Sequence, residues 1–163
     1  MFPDRILELA RAVVAAAAAR GVMLATAESC TGGLVAAALT AVPGSSAVVD
    51  RGFVTYSNAA KSRMLGVDPA LIEAHGAVSG PVAEAMAAGA AARSEASVAV
   101  SITGIAGPGG GSADKPVGLV WFGVAGLGEP RVLERRFGDL GRDEVRTASV
   151  VQALELLLER LKA

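Results

Sequence analysis

Histidine, cysteine, tyrosine and tryptophan each occur only once in this chain of 163 residues. The single cysteine, Cys30, excludes an intrachain disulfide, and no cysteine–histidine spacing typical of a metal site is present. The single histidine, His75, excludes a histidine-based catalytic triad built from one chain. We therefore predict no metal site, and we interpret Cys30 as a small buried residue and His75 as a structural loop residue.

A strong charge of one sign and long hydrophobic runs are also missing. The formal net charge is −1 and no basic run is present, which argues against a dedicated nucleic-acid-binding protein. Hydrophobic residues make up 52% of the chain, but much of this fraction is alanine, and no stretch approaches the ~20 apolar residues that a membrane-spanning helix needs. We expect a cytoplasmic protein that binds neither nucleic acid nor membranes.

Helical and strand-like patterns alternate along the chain. Helices are predicted over residues 4–20, 34–42, 59–65, 81–92 and 143–161, and strands over residues 22–27, 48–56, 97–102, 117–125 and 131–137. Only a short turn separates the last two strands, which predicts antiparallel pairing between them. The pattern indicates a single domain over residues 1–163, a three-layer α/β/α fold with a mixed, mostly parallel sheet. It does not give the order of the strands.

The first candidate site is the segment TAESCTGG, residues 26–33, where a strand gives way to a helix. Ser29 at this junction resembles the serine of a nucleophile elbow, which lies on a sharp turn between a strand and a helix, although the Gly-x-Ser-x-Gly pattern is absent. Backbone N–H groups of the helix start, around Thr31 to Gly33, could hold an oxyanion or a phosphate. A plain helix N-cap, with glycines that ease tight packing, fits the same residues.

The second candidate site is the segment TYSNAAK, residues 55–61. Asn58 is a favourable N-cap, and it would place Lys61 at the third position of the helix. A cation there faces the positive end of the helix dipole, so we expect a lowered pKa for the amine, as a general base requires. Tyr56 precedes the same helix. A solvated lysine and a half-buried tyrosine are the structural alternative.

The third candidate site is the glycine-rich segment SITGIAGPGGGS, residues 101–112, which is predicted to leave a strand and form a loop from Gly104 to Gly111. Glycines let backbone N–H groups approach an anion closely. The spacing matches neither the dinucleotide-binding fingerprint nor the Walker pattern, which disfavours a dehydrogenase or a nucleotide triphosphatase. A flexible surface loop is the alternative.

Several motifs, taken together and in order, resemble the CinA C-terminal domain family. They are TAESCTGG, RGFVTYSNAAK, GAVS, SITGIAGPGGGS, KPVGLVWFGVA and GRDEVR, and they extend from Thr26 to the last helix. The resemblance implies an amidase that hydrolyses nicotinamide mononucleotide to nicotinate mononucleotide and ammonia, within pyridine nucleotide recycling. It also implies that no cofactor is needed.

The resemblance further implies a Ser/Lys/Tyr type of site in place of a histidine triad. Its catalytic residues would be Ser29, Tyr56 and Lys61. The resemblance also makes Thr103 and Arg142 substrate-binding residues. Together with the first and third candidate sites, the predicted substrate-binding residues are Glu28, Thr31, Gly32, Gly33, Thr103, Gly104, Gly109, Gly110, Gly111, Ser112 and Arg142. The family's GDR pattern is interrupted here after Asp139, which leaves Arg146 as the alternative to Arg142 for binding phosphate.

Two other functions stay open at this point. The chain could be a non-catalytic module that binds a nucleotide or a partner protein, or an amidase for another substrate. Release of ammonia from nicotinamide mononucleotide separates these possibilities. A homo-oligomer, with a dimer favoured, is the expected assembly.

Overall fold

Five strands form one sheet in the computed structural model, which describes residues 1–163. The strands are β1 (Leu24–Glu28), β2 (Val49–Val54), β3 (Val98–Gly104), β4 (Leu119–Ala125) and β5 (Arg131–Arg136). Their order in the sheet is β2-β1-β3-β4-β5. Strand β1 pairs in parallel with both of its neighbours, whereas β4 is antiparallel to β3 and to β5. All strands except β4 therefore run in one direction, which confirms the predicted mixed, mostly parallel sheet.

Helices cover both faces of this sheet. They are α1 (Asp4–Arg20), α2 (Leu34–Thr40), α3 (Asn58–Leu65), α4 (Pro69–His75), α5 (Gly80–Ala92) and α6 (Arg142–Lys162). One hydrophobic core joins the sheet to α1, α2 and α6, and a second joins it to α3, α4 and α5. The three-layer architecture is thus confirmed. No helix combines the length and the apolar character needed to cross a membrane.

Small residues allow the helices of the second layer to pack closely. A Cβ atom on Gly89 of α5 would overlap the backbone carbonyl of Leu65 at the end of α3. Leu65 is itself buried in the core that joins α3 and α5 to the sheet. This close contact fixes the position of α3, the helix that carries Lys61.

Helix α4 was not predicted from the sequence. Asp68 caps it, because the Asp68 carboxylate accepts a hydrogen bond of 2.9 Å from the backbone N–H of Ala70. Pro69 is its first residue, the position that proline favours in helices. A helix of 7 residues is too short to give a clear hydrophobic periodicity, and the Asp-Pro pair was the one local signal.

Two boundaries near the candidate sites differ from the prediction. Ser57, and not Asn58, is the N-cap of α3, since the Ser57 hydroxyl accepts a hydrogen bond of 3.0 Å from the N–H of Ala60. Lys61 is therefore the fourth helical residue and not the third. Gly104, expected to open the glycine-rich loop, is the last residue of β3.

Candidate active site

The segments that follow four of the strands meet at one edge of the sheet. Strands β1, β2, β3 and β5 run in the same direction, so their carboxyl ends share this edge, where ligands bind in open α/β sheets. Two backbone hydrogen bonds continue the pairing past the strand ends: Ser29 N–H donates to Ile102, and Thr55 N–H donates to Glu28, each at 2.9 Å. These bonds fix the first two candidate segments relative to each other.

A cavity of about 210 Å³ opens at this edge. It is lined by Ser29, Cys30, Tyr56, Asn58, Lys61, Ala77, Val78, Thr103, Gly104, Ala106 and Arg142. The structure thus brings together the three predicted catalytic residues and three of the predicted substrate-binding residues. The positions 77 and 78 lie in the GAVS motif, which had no assigned role. A larger cavity of about 550 Å³ lies between α3 and α4, and neither Ser29 nor Lys61 lines it.

The side chains of Ser29 and Lys61 are in direct contact. The distance between Lys61 Nζ and Ser29 Oγ is 3.0 Å. Both residues are buried, and Lys61 is only 1% exposed. This burial overturns the alternative of a solvated surface lysine.

Burial in the protein lowers the pKa of the Lys61 amine, because desolvation disfavours its charged form. The amine has two further neighbours, the backbone carbonyls of Thr55 at 3.0 Å and of Tyr56 at 3.4 Å. A neutral amine has two N–H donors and one lone pair. The two carbonyls can only accept, whereas the Ser29 hydroxyl can also donate, so the neutral amine is satisfied when its lone pair faces Ser29.

Cys30 is buried directly beside Ser29. Desolvation raises the pKa of the Cys30 thiol to about 12. A thiol with that pKa is almost entirely protonated at neutral pH and is a poor nucleophile. The interpretation of Cys30 as a small buried residue is confirmed.

Tyr56 lies at the mouth of the cavity and is 63% exposed. Its hydroxyl accepts a hydrogen bond of 3.1 Å from Arg142 Nη2, while Arg142 Nη1 donates to the carbonyl of Gly107 at 2.8 Å. Arg142 thereby joins the segment after β2 to the glycine-rich loop after β3. The Tyr56 hydroxyl has no hydrogen bond to Ser29 or Lys61; only the Tyr56 backbone carbonyl faces the lysine.

Thr103 and Gly104 form the wall of the cavity at the end of β3. The Thr103 hydroxyl donates a hydrogen bond of 2.8 Å to the carbonyl of Ala77. This bond ties the segment before α5 to the sheet. It places Ala77 and Val78 against the cavity.

Glu28 is fully buried and directed at α2 instead of at the cavity. One carboxylate oxygen accepts from the Thr31 hydroxyl at 2.7 Å and from the N–H of Val35 at 2.9 Å. The other accepts from the N–H of Ala36 at 3.0 Å and from the Thr26 hydroxyl at 3.2 Å. Glu28 therefore takes the place of an external anion at the start of α2.

Arg146 also contacts the turn after β1, from the outer helix α6. Its Nε donates to the carbonyl of Cys30 at 3.1 Å and its Nη2 to the carbonyl of Thr31 at 3.4 Å. Arg146 does not line the cavity, whereas Arg142, one turn earlier on α6, does.

The glycines predicted to bind phosphate line a different cavity. Gly109, Gly110, Gly111 and Ser112 line a cavity of about 580 Å³ together with Arg136 and Asp139. None of them lines the cavity that contains Ser29. Gly109 to Ser112 therefore lie apart from the candidate catalytic residues, and their binding of phosphate stays a prediction.

His75 lies outside the site. It is exposed and is the last residue of α4, not a loop residue as predicted. Its backbone carbonyl accepts a hydrogen bond from the Lys115 amine at 2.6 Å. No cluster of three or more histidine, cysteine, aspartate or glutamate side chains is arranged to hold a metal ion.

Comparison with known proteins places the chain in a family. The model of the CinA C-terminal domain matches residues 6–161. The chain belongs to the CinA C-terminal domain family. Its match covers both the strand ends and the helix α6 that together build the cavity.

Two relatives of different length share about half of their aligned residues with this protein. A protein of Enterobacter agglomerans named nicotinamide-nucleotide amidohydrolase PncC is 51% identical over 159 residues, which is 97% of this chain and 96% of the relative. A CinA-like protein of Anaeromyxobacter sp. (strain K) is 55% identical over 151 residues, which is 92% of this chain but 36% of the relative. The chain thus spans about a third of the length of such CinA-like relatives.

Solved structures confirm the CinA-like fold. The competence/damage inducible protein CihA from Agrobacterium tumefaciens is 54% identical and superposes with a TM-score of 0.97, covering 100% of this chain and 99% of that one. A CinA superfamily protein from Escherichia coli is 36% identical with a TM-score of 0.90, covering 99% of this chain and 94% of that one.

The bonding of Glu28 generates a prediction about stability. Glu28→Gln should lower the free energy of unfolding by about 2–3 kcal/mol, because the amide NH₂ would face N–H and O–H donors that now bind a carboxylate. Chemical denaturation measures this change. Glu84→Gln is the control, since the Glu84 side chain is exposed on α5 and makes no hydrogen bond. Wild-type stability in Glu28→Gln, with a selective loss of substrate affinity, would instead support the predicted substrate-binding role.

Proposed function

We propose that this protein hydrolyses the carboxamide of nicotinamide mononucleotide to give nicotinate mononucleotide and ammonia. The observation that carries the proposal is the buried contact of 3.0 Å between Lys61 Nζ and Ser29 Oγ at the wall of a cavity. The proposal is supported by the near full-length relative that is named nicotinamide-nucleotide amidohydrolase. A non-catalytic nucleotide-binding module has no need of a serine activated by a desolvated amine.

The first half of the proposed reaction transfers the acyl group to Ser29. Neutral Lys61 takes the proton of the Ser29 hydroxyl while Ser29 Oγ attacks the carboxamide carbon, and the carbonyl oxygen becomes an oxyanion. The C–N bond then breaks, and the protonated Lys61 gives its proton to the departing ammonia. The products of this half are ammonia and an ester between Ser29 and the nicotinoyl group.

The second half hydrolyses the ester. Lys61, neutral again, takes a proton from water, and the resulting hydroxide attacks the ester carbonyl. The bond to Ser29 Oγ breaks and Lys61 returns its proton to that oxygen. We assign the proton transfers to Lys61 directly, because the Tyr56 hydroxyl is bonded to Arg142. The proposed role of Tyr56 is to cover the substrate at the mouth of the cavity.

The size of the cavity supports a particular placement of the substrate. Its volume of about 210 Å³ is below the ~300 Å³ at which pockets for whole drug-sized ligands begin. We propose that the pyridine carboxamide enters the cavity and that the ribose phosphate extends past its mouth to Arg142. The Arg142 guanidinium has the fork of donors suited to phosphate oxygens.

The assignment of the nucleophile leads to a first activity prediction. Ser29→Ala should abolish ammonia release while leaving the thermal unfolding temperature close to that of the wild type, because only the attacking atom is removed. Cys30→Ala is the matched control and should keep most of the activity, since the thiol is protonated and buried. An active Ser29→Ala protein beside an inactive Cys30→Ala protein would show that the nucleophile is the cysteine.

The assignment of the base leads to a second prediction. Lys61→Arg should be inactive, because a guanidinium stays protonated and cannot accept the serine proton. Lys61→Met should be inactive as well, yet stable to within about 1 kcal/mol of the wild type, since lost hydrogen bonds are offset by the removal of a buried amine. Ammonia assays and denaturation curves test both. Substantial activity in Lys61→Arg would refute proton transfer to this side chain.

The placement of the phosphate leads to a third prediction. Arg142→Ala should lower kcat/KM for the mononucleotide by about ten- to a hundredfold, since a charge-assisted hydrogen bond contributes roughly 1.5–3 kcal/mol. Activity on the riboside, which lacks the phosphate, should fall much less. Arg136→Ala is the matched comparison, because Arg136 lines the cavity that the glycine-rich loop also lines. If Arg136→Ala abolishes the preference for the mononucleotide and Arg142→Ala keeps it, the phosphate is bound by that loop.

A further inference from the structure

The side chain of Arg146 binds two successive backbone carbonyls of the turn that follows Ser29. The carbonyls belong to Cys30 and Thr31, at 3.1 and 3.4 Å. This turn contains two glycines in left-handed conformation, Gly32 at φ 59° and Gly33 at φ 102°. Glycine is the residue with the greatest backbone freedom, so a turn of this composition needs external bonds to hold one conformation.

The bond to the Cys30 carbonyl decides where the next amide points, and the bond to the Thr31 carbonyl holds the same turn from a second position. In a planar trans peptide the C=O and the N–H point in opposite directions. The carbonyl of Cys30 shares its peptide with the N–H of Thr31, so binding of that carbonyl by Arg146 directs the Thr31 N–H away from Arg146. The cation also polarises the peptide and strengthens its N–H as a donor.

Two amides directly after Ser29 have no acceptor in the protein. Gly32 N–H donates to the Ser29 carbonyl at 3.0 Å, whereas the N–H groups of Cys30, Thr31 and Gly33 have no acceptor; those of Cys30 and Thr31 lie next to Ser29 in the chain. Both residues are buried, and an unpaired buried N–H is rare and requires an explanation. Consecutive N–H groups beside a nucleophile are the type of donor that stabilises an oxyanion.

We propose that Arg146 is a positioning residue, which holds the turn so that the Cys30 and Thr31 amides bind the oxyanion formed when Ser29 attacks. The inference rests on the proposed function, and it gives the two arginines of α6 different tasks. Arg142 contacts the substrate, whereas Arg146 acts on the oxyanion through the backbone. The proposed donors are the amides of residues 30 and 31, which directly follow Ser29, whereas the sequence pattern placed the donors at residues 31–33.

The kinetic signature of Arg146→Met tests this role. An oxyanion exists only on the way to and from the acyl-enzyme, so kcat should fall by about 10- to 100-fold while KM and the preference for mononucleotide over riboside stay near wild type. Arg160→Met is the matched control. Arg160 lies at the other end of α6 and likewise donates to two backbone carbonyls, those of Gly126 and Glu129, so its loss should leave kcat unchanged.

Two further measurements separate positioning from damage to the fold. Millimolar guanidinium ion should restore part of the kcat of Arg146→Ala, since the truncated side chain leaves space in which the free ion can bind the carbonyls of Cys30 and Thr31. Arg146→Met should also slow the acylation of Ser29 by p-nitrophenyl nicotinate by a similar factor. That ester contains neither a phosphate nor an amide. If the wild type reacts with the ester but not with the mononucleotide, the proposed function fails and the role of Arg146 is still measured.

Three outcomes would overturn the inference. The first is a wild-type kcat and acylation rate in Arg146→Met. The second is a loss confined to KM together with loss of the preference for the phosphorylated substrate, which would make Arg146 a phosphate ligand. The third is no Ser29-dependent acylation in the wild type by either substrate, which would refute both proposals.

Discussion

The rest of the site depends on the burial of one amine, that of Lys61, against the hydroxyl of Ser29. An amine removed from water must find protein partners, and here the carbonyls of Thr55 and Tyr56 provide them together with Ser29 Oγ. These contacts require the turns after β1 and β2 to lie a fixed distance apart. Parallel pairing of the two strands sets that distance, and the Ser57 cap starts α3 at the residue that brings Lys61 into the cavity.

Three charged side chains hold this arrangement. Glu28 binds the backbone amides at the start of α2, and Arg146 of α6 binds the turn that precedes this helix. Arg142 joins Tyr56 to the glycine-rich loop. In the proposed reaction the substrate brings a cationic pyridinium ring close to Lys61. That cation would disfavour a protonated amine and would add to the effect of burial on the pKa. The cationic ring would also make the carboxamide carbon more electrophilic.

The fold and the cavity residues could be predicted to different degrees. Long periodic segments such as α1 and α6 were predicted within one or two residues, and the family motifs located Ser29, Lys61 and Thr103. The helix α4 was missed because it is too short for a periodic signal. The separation of Gly109 to Ser112 from the cavity depends on how the loop after β3 folds back toward β4, and local composition does not encode that path. The bonding of Glu28 and Arg146 could not be predicted from the sequence either. The Glu28 bonds depend on where the sheet places α2, and the Arg146 bonds depend on a turn more than a hundred residues earlier in the chain.

The titration of the Lys61 side chain is the most direct test of the central claim, that this amine is neutral when it faces Ser29. The chain has only three lysines, Lys61, Lys115 and Lys162, so their Cε signals can be resolved by NMR and assigned with the Lys61→Met variant. The account predicts that the pKa of the Lys61 amine lies below the ordinary value of a lysine, because burial lowers it. The kcat/KM for deamidation should rise with pH through the same midpoint, because kcat/KM reports the ionisation of the free enzyme. A Lys61 signal that titrates at or above the ordinary value of a lysine would contradict the account.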